Sequence, residues 1–371
     1  MRETAIERLV DSKLNDDAQS QVRTRFRHGG FAVASAAETA KFAYTGARAL
    51  AAPLLSKLKL PDSPTALAAI ESTLTTVQSL RESVLVRVRL PAVAANFTNS
   101  FSSSTAKHVQ SELCKAADEA RVKQRINDAK ERDQKKEVAR LTSIAAPKAS
   151  FALRARSGLS DQAWRFMARL KLGLPPLNDM PDYCGKCGAD VQLDPWHPLV
   201  CPLLRGAQHT KRHNEVVALI AELVNNAGGF AQTEPTGLGI NRKDRTRPDA
   251  DLQIGGKRFL IDVAVVHPLA DSHTDLAKKK LAVAAQKERQ KRSRWEEKSA
   301  HHGAQFFPVV LETLGGMGDG CAGLFKELAG AAAGLRFVPE HLSIRGTRER
   351  ISLAIARWTA SCVHECYSRL D

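Results

Sequence analysis

Residues 247–266 constrain the fold of this chain more than any other segment. Two runs with alternating apolar residues flank Gly255-Gly256, a pattern that predicts a β-hairpin with a two-residue turn. If the turn is tight, counting outward from it places Asp249 directly opposite Asp262. The apolar residues then share the other face of the hairpin and should form its core: Leu252, Ile254, Phe259, Ile261, Val263 and Val265.

Two opposed carboxylates are an unusual feature of a hairpin. Cross-strand partners lie roughly 5 Å apart at Cβ, and like charges at that distance destabilise the pairing. A nearby cation would neutralise them and keep both ionised. The pair Asp249 and Asp262 therefore predicts a divalent-metal site, while a solvated acidic pair on a surface hairpin fits the hairpin alone equally well.

Composition narrows the class of protein. The chain has 371 residues, enough for two or three domains, and its formal net charge of +15 favours a polyanionic partner such as nucleic acid. Seven cysteines in this length do not indicate a disulfide framework and favour a reducing, intracellular compartment. We find no signal peptide and no apolar run of transmembrane length, so we expect no membrane association.

A cluster of cysteines and histidines follows Pro175-Pro176, where the sequence changes from helical patterns to turns and strands. Four potential ligands have the spacing C-x2-C-x9-H-x3-C: Cys184, Cys187, His197 and Cys201. Zinc prefers four such donors in a closed tetrahedron, so the spacing predicts a structural zinc site. Chance proximity is the alternative, and His209 or His213 can replace His197 as far as the spacing decides.

Helical patterns dominate both ends of the chain. A charged helix is predicted from Ala106 to about Leu141, where alternating acids and bases favour a solvated face. A final helix is predicted over Glu349–Tyr367, and we expect its Cys362 and Cys366 to be core or half-exposed thiols rather than metal ligands.

Basic residues surround the hairpin in the sequence. Residues 276–298 contain nine Lys or Arg against three Glu, and they form a predicted helix with one buried edge. This helix is a candidate for phosphate contact, although a solvated basic face with no ligand fits the charge as well. The side chains that we expect to contact DNA are Arg212, His213, Arg245, Arg247, Arg292 and Arg294.

The order of these motifs resembles a known family over roughly residues 150–318. A cysteine knuckle, an Arg-His-Asn helix, a Pro-Asp strand, an Asp strand and a basic helix also occur in the C-terminal region of site-specific non-LTR retrotransposon proteins. That region carries a zinc knuckle followed by a restriction-like endonuclease of the PD-(D/E)xK superfamily. Residues 27–31 also resemble the stretch that follows the polymerase core in such proteins.

The resemblance implies an α+β chain in four segments. Residues 1–150 would be a helical region, and residues 151–208 a linker helix with a CCHC zinc knuckle. Residues 209–330 would form a restriction-endonuclease-like α/β domain with a mixed central sheet, and residues 331–371 a helical extension.

Catalytic roles follow from the matched motifs. Asp249 matches the acid of the Pro-Asp motif and Asp262 the second metal-binding acid, which implies a Mg²⁺ site. The usual lysine position, residue 264, is Ala264. The family has another solution, in which the lysine comes from the following helix in a pattern like E-x2-K-x2-K-Y.

Residues 288–295 fit that helical pattern, with arginine and tryptophan in its last two positions. Lys291 is therefore the candidate catalytic lysine, and Lys287, one helical turn earlier, is the alternative. Glu222 and Glu234 are candidates for a further acid.

The implied function is Mg²⁺-dependent nicking of DNA in the nucleus, with RNA of the element as a further partner. The sequence contains no Tyr-x-Asp-Asp motif, and the region before the knuckle is too short for a polymerase palm, so we expect no polymerase activity. A catalytically inactive nucleic-acid-binding remnant is the main alternative. A helical structural protein stapled by zinc is a third, but it leaves the opposed carboxylates unexplained.

Overall fold

The computed structural model describes most of the chain. The described ranges are 2–25, 30–33, 36–58, 64–76, 108–146, 158–238, 247–331 and 343–367. Within these ranges, no helix combines the length and apolar character that crossing a membrane requires. Residues 27–29, part of the segment that resembles the stretch after a polymerase core, lie outside the described residues.

Helices make up most of the described chain, and its four strands all lie in the second half. The helices are α1 (Arg2–Val10), α2 (Asp16–Arg23), α3 (Ala36–Lys57), α4 (Pro64–Thr76), α5 (Val109–Glu131), α6 (Lys135–Ile144), α7 (Asp161–Leu172), α8 (Thr210–Asn226), α9 (Asp271–Thr274), α10 (Ala282–His301), α11 (Asp319–Ala331) and α12 (Ile344–Tyr367). The strands are β1 (Phe230–Thr233), β2 (Ala250–Ile254), β3 (Lys257–Val266) and β4 (Gln305–Glu312). Short 3₁₀ turns lie at His197–Leu199 and Pro202–Leu204.

The chain divides into two compact units. The smaller unit comprises Leu14–Asp128, and its apolar core joins α3, α4 and α5. The larger unit comprises Glu3–Lys13 and Ala129–Asp371 and contains the whole sheet. Helix α6, which lies in the predicted N-terminal region, belongs to this larger unit, where the Thr142 hydroxyl donates to the Ala277 carbonyl over 2.7 Å.

The predicted continuous helix from Ala106 to Leu141 is wrong. It is two helices, α5 and α6, separated at Asp133, which has a left-handed backbone with φ of +51°. An aspartate tolerates this conformation better than most residues do, because its short polar side chain can hydrogen-bond locally. Helix α6 packs within the unit that contains the sheet.

The sheet has the order β1-β2-β3-β4 and is mixed. Strands β1, β2 and β3 are antiparallel neighbours, whereas β4 runs parallel to β3 and is reached through α10. In the β2–β3 hairpin Ile254 pairs with Lys257, which is the predicted register. Gly255 and Gly256 have φ values of +57° and +73°, the left-handed pair that a tight hairpin turn requires.

Helices cover both faces of the sheet. The face with the predicted apolar residues of the hairpin packs against α8, α11 and α12 in one large core. The other face packs against α10, where Leu260 and Phe306 enclose the indole of Trp295. The predicted α+β class with a mixed sheet is confirmed, and the hairpin's second face, which carries the two aspartates, lies towards α10.

Candidate active site and metal centre

The hairpin brings Asp249 and Asp262 together. Asp249 directly precedes β2, and its backbone N–H donates to the Ile261 carbonyl over 2.9 Å, which continues the ladder by one residue. Asp249 Oδ2 also accepts a hydrogen bond from the Val263 backbone N–H at 2.5 Å. The side chains of Asp249 and Asp262 are 24% and 14% exposed, so the pair is mostly buried rather than solvated.

Helix α10 supplies two groups that hold Asp262. The Lys291 ammonium lies 2.5 Å from Asp262 Oδ1, and the Trp295 indole N–H donates to Oδ2 over 2.9 Å. Lys291 and Trp295 are four residues apart, so they share one face of the helix. Trp295 is fully buried and stacks on Phe306 with 6.5 Å between ring centroids, which fixes the position of the helix over the strand.

Helix α8 contributes His213 to the same site. His213 Nε2 lies 3.2 Å from Asp249 Oδ1. Burial raises the pKa of Asp249, but hydrogen bonds from His213 and the Val263 N–H outweigh it and leave the pKa below its usual value. Burial raises the pKa of Asp262 above its usual value, against the opposing charge of Lys291. The two carboxyls also interact directly, which lowers the pKa of Asp249 and raises that of Asp262, so the two pKa values move apart.

The structure distinguishes the two candidate lysines. Lys291 reaches Asp262, whereas the Lys287 ammonium lies 3.4 Å from the Gln290 side chain on its own helix. Ala264, where the resemblance implies a lysine, packs against the apolar cluster that includes Val310.

The two candidates for a further acid pair with arginines. Glu222 makes a two-point ion pair with Arg350 at 2.7 and 2.8 Å. Glu234 lies 3.1 Å from Arg247, one of the predicted DNA contacts. Each acid is thus engaged with a guanidinium, which is the arrangement of an ion pair rather than of a metal ligand.

The exposed members of the predicted DNA-contacting set lie on or near the hairpin and α10. Arg247 is 53% exposed. Arg292 is half-exposed and lies 3.8 Å from Glu296, and the exposed Arg294 stacks over the Trp295 ring at 5.6 Å. Arg245 lies outside the described residues.

Arg212 lies elsewhere. It is only 4% exposed, and its burial in the core beside Cys362 lowers the pKa of the guanidinium. A side chain in this position does not fit direct contact with a DNA phosphate, so the expectation for Arg212 needs correction. Arg212 lies on the buried side of α8 with its apolar residues, whereas its neighbour His213 contacts Asp249.

The cysteine–histidine cluster forms as the spacing predicts. Ligand atoms of the four predicted residues all lie within 4.8 Å of one another, the only such group of donors within the described ranges: Cys184, Cys187, His197 and Cys201. Gly188, with φ of +70°, closes the C-x2-C turn by donating its N–H to the Cys184 carbonyl over 2.8 Å. His197 Nε2 lies 3.1 Å from Cys187 Sγ.

The donor set fits a zinc ion. Burial lowers the pKa of His197, which keeps the imidazole neutral and able to ligate. Burial raises the pKa of Cys184, but backbone N–H groups of Lys186 and Cys187 outweigh it and leave the pKa below its usual value. Burial raises the pKa of Cys201 to about 11, a cost that a bound cation would offset. Three sulfurs and one imidazole can hold zinc in a closed tetrahedron.

The spare histidines are not part of the cluster. Among the described residues His209 Nε2 has no hydrogen-bond partner, and burial lowers the pKa of His209 to about 4. His213 contacts Asp249 instead. Cys362 and Cys366 on α12 are both fully buried, as expected of core thiols, but Cys366 also lies beside Cys184 and Cys201.

No protein-family model matches this sequence, and no curated protein matches it significantly. The resemblance to retrotransposon endonucleases therefore stays a prediction that rests on the motifs. The geometry of the two sites is the basis for assigning a function.

Proposed function

We propose that the chain is a metal-dependent DNA endonuclease that nicks one strand, with its active site on the second face of the β2–β3 hairpin. The observation that carries the proposal is the convergence of Asp249, Asp262 and Lys291 from three segments. Two opposed carboxylates with a lysine beside one of them are the groups that phosphodiester hydrolysis needs.

Each residue has a defined task in the proposed reaction. Asp249 and Asp262 would hold Mg²⁺, which supplies Lewis-acid polarisation of the phosphate and a more acidic attacking water. Lys291 is placed to stabilise the negative charge that develops on the phosphate oxygens. His213 keeps Asp249 ionised by contacting its Oδ1 oxygen, and Trp295 orients Asp262.

The surroundings of the site support a nucleic-acid substrate. Arg247, Arg292 and Arg294 lie on the two segments that carry the aspartates and Lys291, and the whole chain is strongly basic. Such side chains position a duplex through its phosphates without reading its sequence. We further propose that the cysteine–histidine cluster is a zinc knuckle, that the sheet unit is a restriction-endonuclease-like domain, and that the chain derives from a non-LTR retrotransposon.

A second candidate function is DNA binding without catalysis. The observation in its favour is that Glu222 and Glu234 both pair with arginines, so that neither is presented as a third acid for the aspartate pair. An inactive remnant would keep the basic surface and bind DNA in a salt-dependent manner.

A plasmid-nicking assay separates the two functions. Supercoiled plasmid is incubated with the full chain and Mg²⁺, or with a chelator, and the relaxed form is quantified. The nuclease proposal expects relaxation that requires Mg²⁺ and is lost in Asp249→Asn. Salt-sensitive plasmid binding with no relaxation supports the inactive remnant. Equal nicking by the parent and Asp249→Asn would refute the assignment of the site.

A further inference from the structure

The last turn of helix α12 lies against the cysteine–histidine cluster. Cys366 is fully buried there, and its side chain lies beside those of Cys184 and Cys201. Its backbone carbonyl accepts from the Gly185 N–H over 2.9 Å, so the helix end is attached to the C-x2-C turn itself. Although far apart in sequence, Cys366 thus touches two of the four predicted zinc ligands.

Further contacts hold the helix end in this position. Lys186, inside the C-x2-C turn, forms an ion pair with Glu365 at 2.7 Å. The Tyr367 hydroxyl donates to the Pro195 carbonyl over 2.8 Å. Residues on both sides of Cys366 therefore anchor the helix to the loop and hold the thiol beside the cluster.

Zinc takes four ligands in a structural site, and the cluster supplies four donors, with the Cys366 thiol beside two of them as a fifth candidate. Cys184, Cys187 and Cys201 provide three thiols, and His197 and Cys366 are alternatives for the fourth position. His197 is only partly buried, whereas Cys366 is fully buried. We propose that Cys366 is a reserve ligand of the zinc site, which replaces His197 when the imidazole leaves.

This role would give the C-terminal helix a direct part in metal binding. A zinc ion held by Cys366 would join α12 to the C-x2-C turn through a coordinate bond in addition to the existing contacts. Because metal binding contributes free energy to folding, such a bond would stabilise both elements together. The inference rests on zinc binding by the cluster and is independent of nuclease activity.

The test compares four variants of the full chain expressed in zinc-containing medium: His197→Ala, Cys366→Ser, the double variant and Cys362→Ser. Cys362 is the matched control, because it is a fully buried thiol one turn earlier on the same helix and lies near Arg212. Zinc content is measured after gel filtration. The visible and near-ultraviolet spectrum of the Co²⁺-substituted protein reports how many thiolates ligate the metal.

We expect one zinc per chain in the parent, Cys366→Ser, Cys362→Ser and His197→Ala, and loss of zinc in the double variant only. The thiolate-to-cobalt band should rise by roughly a third in His197→Ala, as three bound thiolates become four. Loss of zinc or of folding in His197→Ala equal to that of the double variant would overturn the proposal, as would an unchanged three-thiolate spectrum. A parent without zinc would instead refute the zinc site itself.

Discussion

The Lys291 ammonium lies 2.5 Å from Asp262 Oδ1, although 29 positions separate the two residues in sequence. Strand β3 carries Asp262 and helix α10 carries Lys291. The parallel β3–α10–β4 crossover brings the two side chains together. The ammonium neutralises part of the charge of the aspartate pair. In the proposed function Asp249 and Asp262 would hold a divalent cation, and Lys291 would supply a positive charge for the phosphate beside it.

Removal of the Lys291 charge should affect activity far more than folding. We expect Lys291→Met to lower the rate of Mg²⁺-dependent nicking by about 10²-fold or more, because one group that stabilises the developing charge is lost. Lys287→Met, one turn earlier on α10, is the matched control and should nick at the parent rate. Single-turnover nicking assays measure both variants, and equal losses would assign the effect to the charge of the helix rather than to Lys291.

Trp295 should act through the orientation of Asp262. Trp295→Phe keeps an aromatic ring in the pocket with Phe306 but removes the indole N–H bond to Asp262 Oδ2. A hydrogen bond to a charged group contributes roughly 1.5–3 kcal/mol, so the variant should lose stability of that order. We also expect a higher Mg²⁺ requirement for nicking. Urea denaturation and Mg²⁺ titration check the two effects, and an unchanged Mg²⁺ requirement would exclude an orienting role.

His213 should control the ionisation of Asp249. Burial raises the pKa of Asp249, and the contact with His213 is the largest effect that opposes it. We therefore expect His213→Ala to raise the pKa of Asp249, so that protons compete with Mg²⁺ over a higher pH range. The pH profile of nicking should shift to higher pH on its acidic side, with a smaller difference between variant and parent at about pH 8. If His213→Ala lowers the nicking rate equally at every pH, the loss of a DNA contact would explain the effect instead.

Glu312 at the end of β4 should make stability depend on pH. Burial raises the pKa of Glu312 from 4.5 to about 7, against the opposing hydrogen bond from the Ser143 hydroxyl. As the pH rises, Glu312 loses its proton at a lower pH in the unfolded chain than in the folded one. The contribution of Glu312 to the free energy of unfolding is therefore greatest below about pH 4.5 and is lost as the pH rises to about 7. Glu312→Gln cannot ionise, so the variant should avoid this fall in stability. Above about pH 7 we expect it to be more stable than the parent by about 1–3 kcal/mol. Urea denaturation at several pH values tests it, and parallel curves for the two proteins would contradict it.

The hairpin and the cysteine–histidine cluster could be predicted because their signals are local. Gly255-Gly256 fixes a turn whose backbone only a few residue types tolerate, and alternation then fixes which residues oppose each other. In the same way the C-x2-C turn and the short spacing to His197 and Cys201 confine four donors to one loop. Long-range packing decides little in either case.

Contacts between segments that are distant in sequence could not be predicted from local signals. The contact of His213 with Asp249 depends on how α8 crosses the sheet, and the contact of Cys366 with the cluster depends on where α12 ends. The sequence does indicate that Trp295 lies beside Lys291, because a spacing of four residues places both on one helical face. The burial of Arg212 does not follow from the sequence, because basic charge alone does not reveal which face of a helix is buried.

The central claim is that Asp249 and Asp262 together bind a divalent cation, and isothermal titration calorimetry with Mn²⁺ tests it most directly. Glu327→Gln is the control, since Glu327 pairs with Lys257 near the hairpin turn and its variant should bind as the parent does. The parent should bind Mn²⁺, and Asp262→Asn should weaken the affinity by about tenfold or more. Equal Mn²⁺ affinity in the parent and Asp262→Asn would contradict the account.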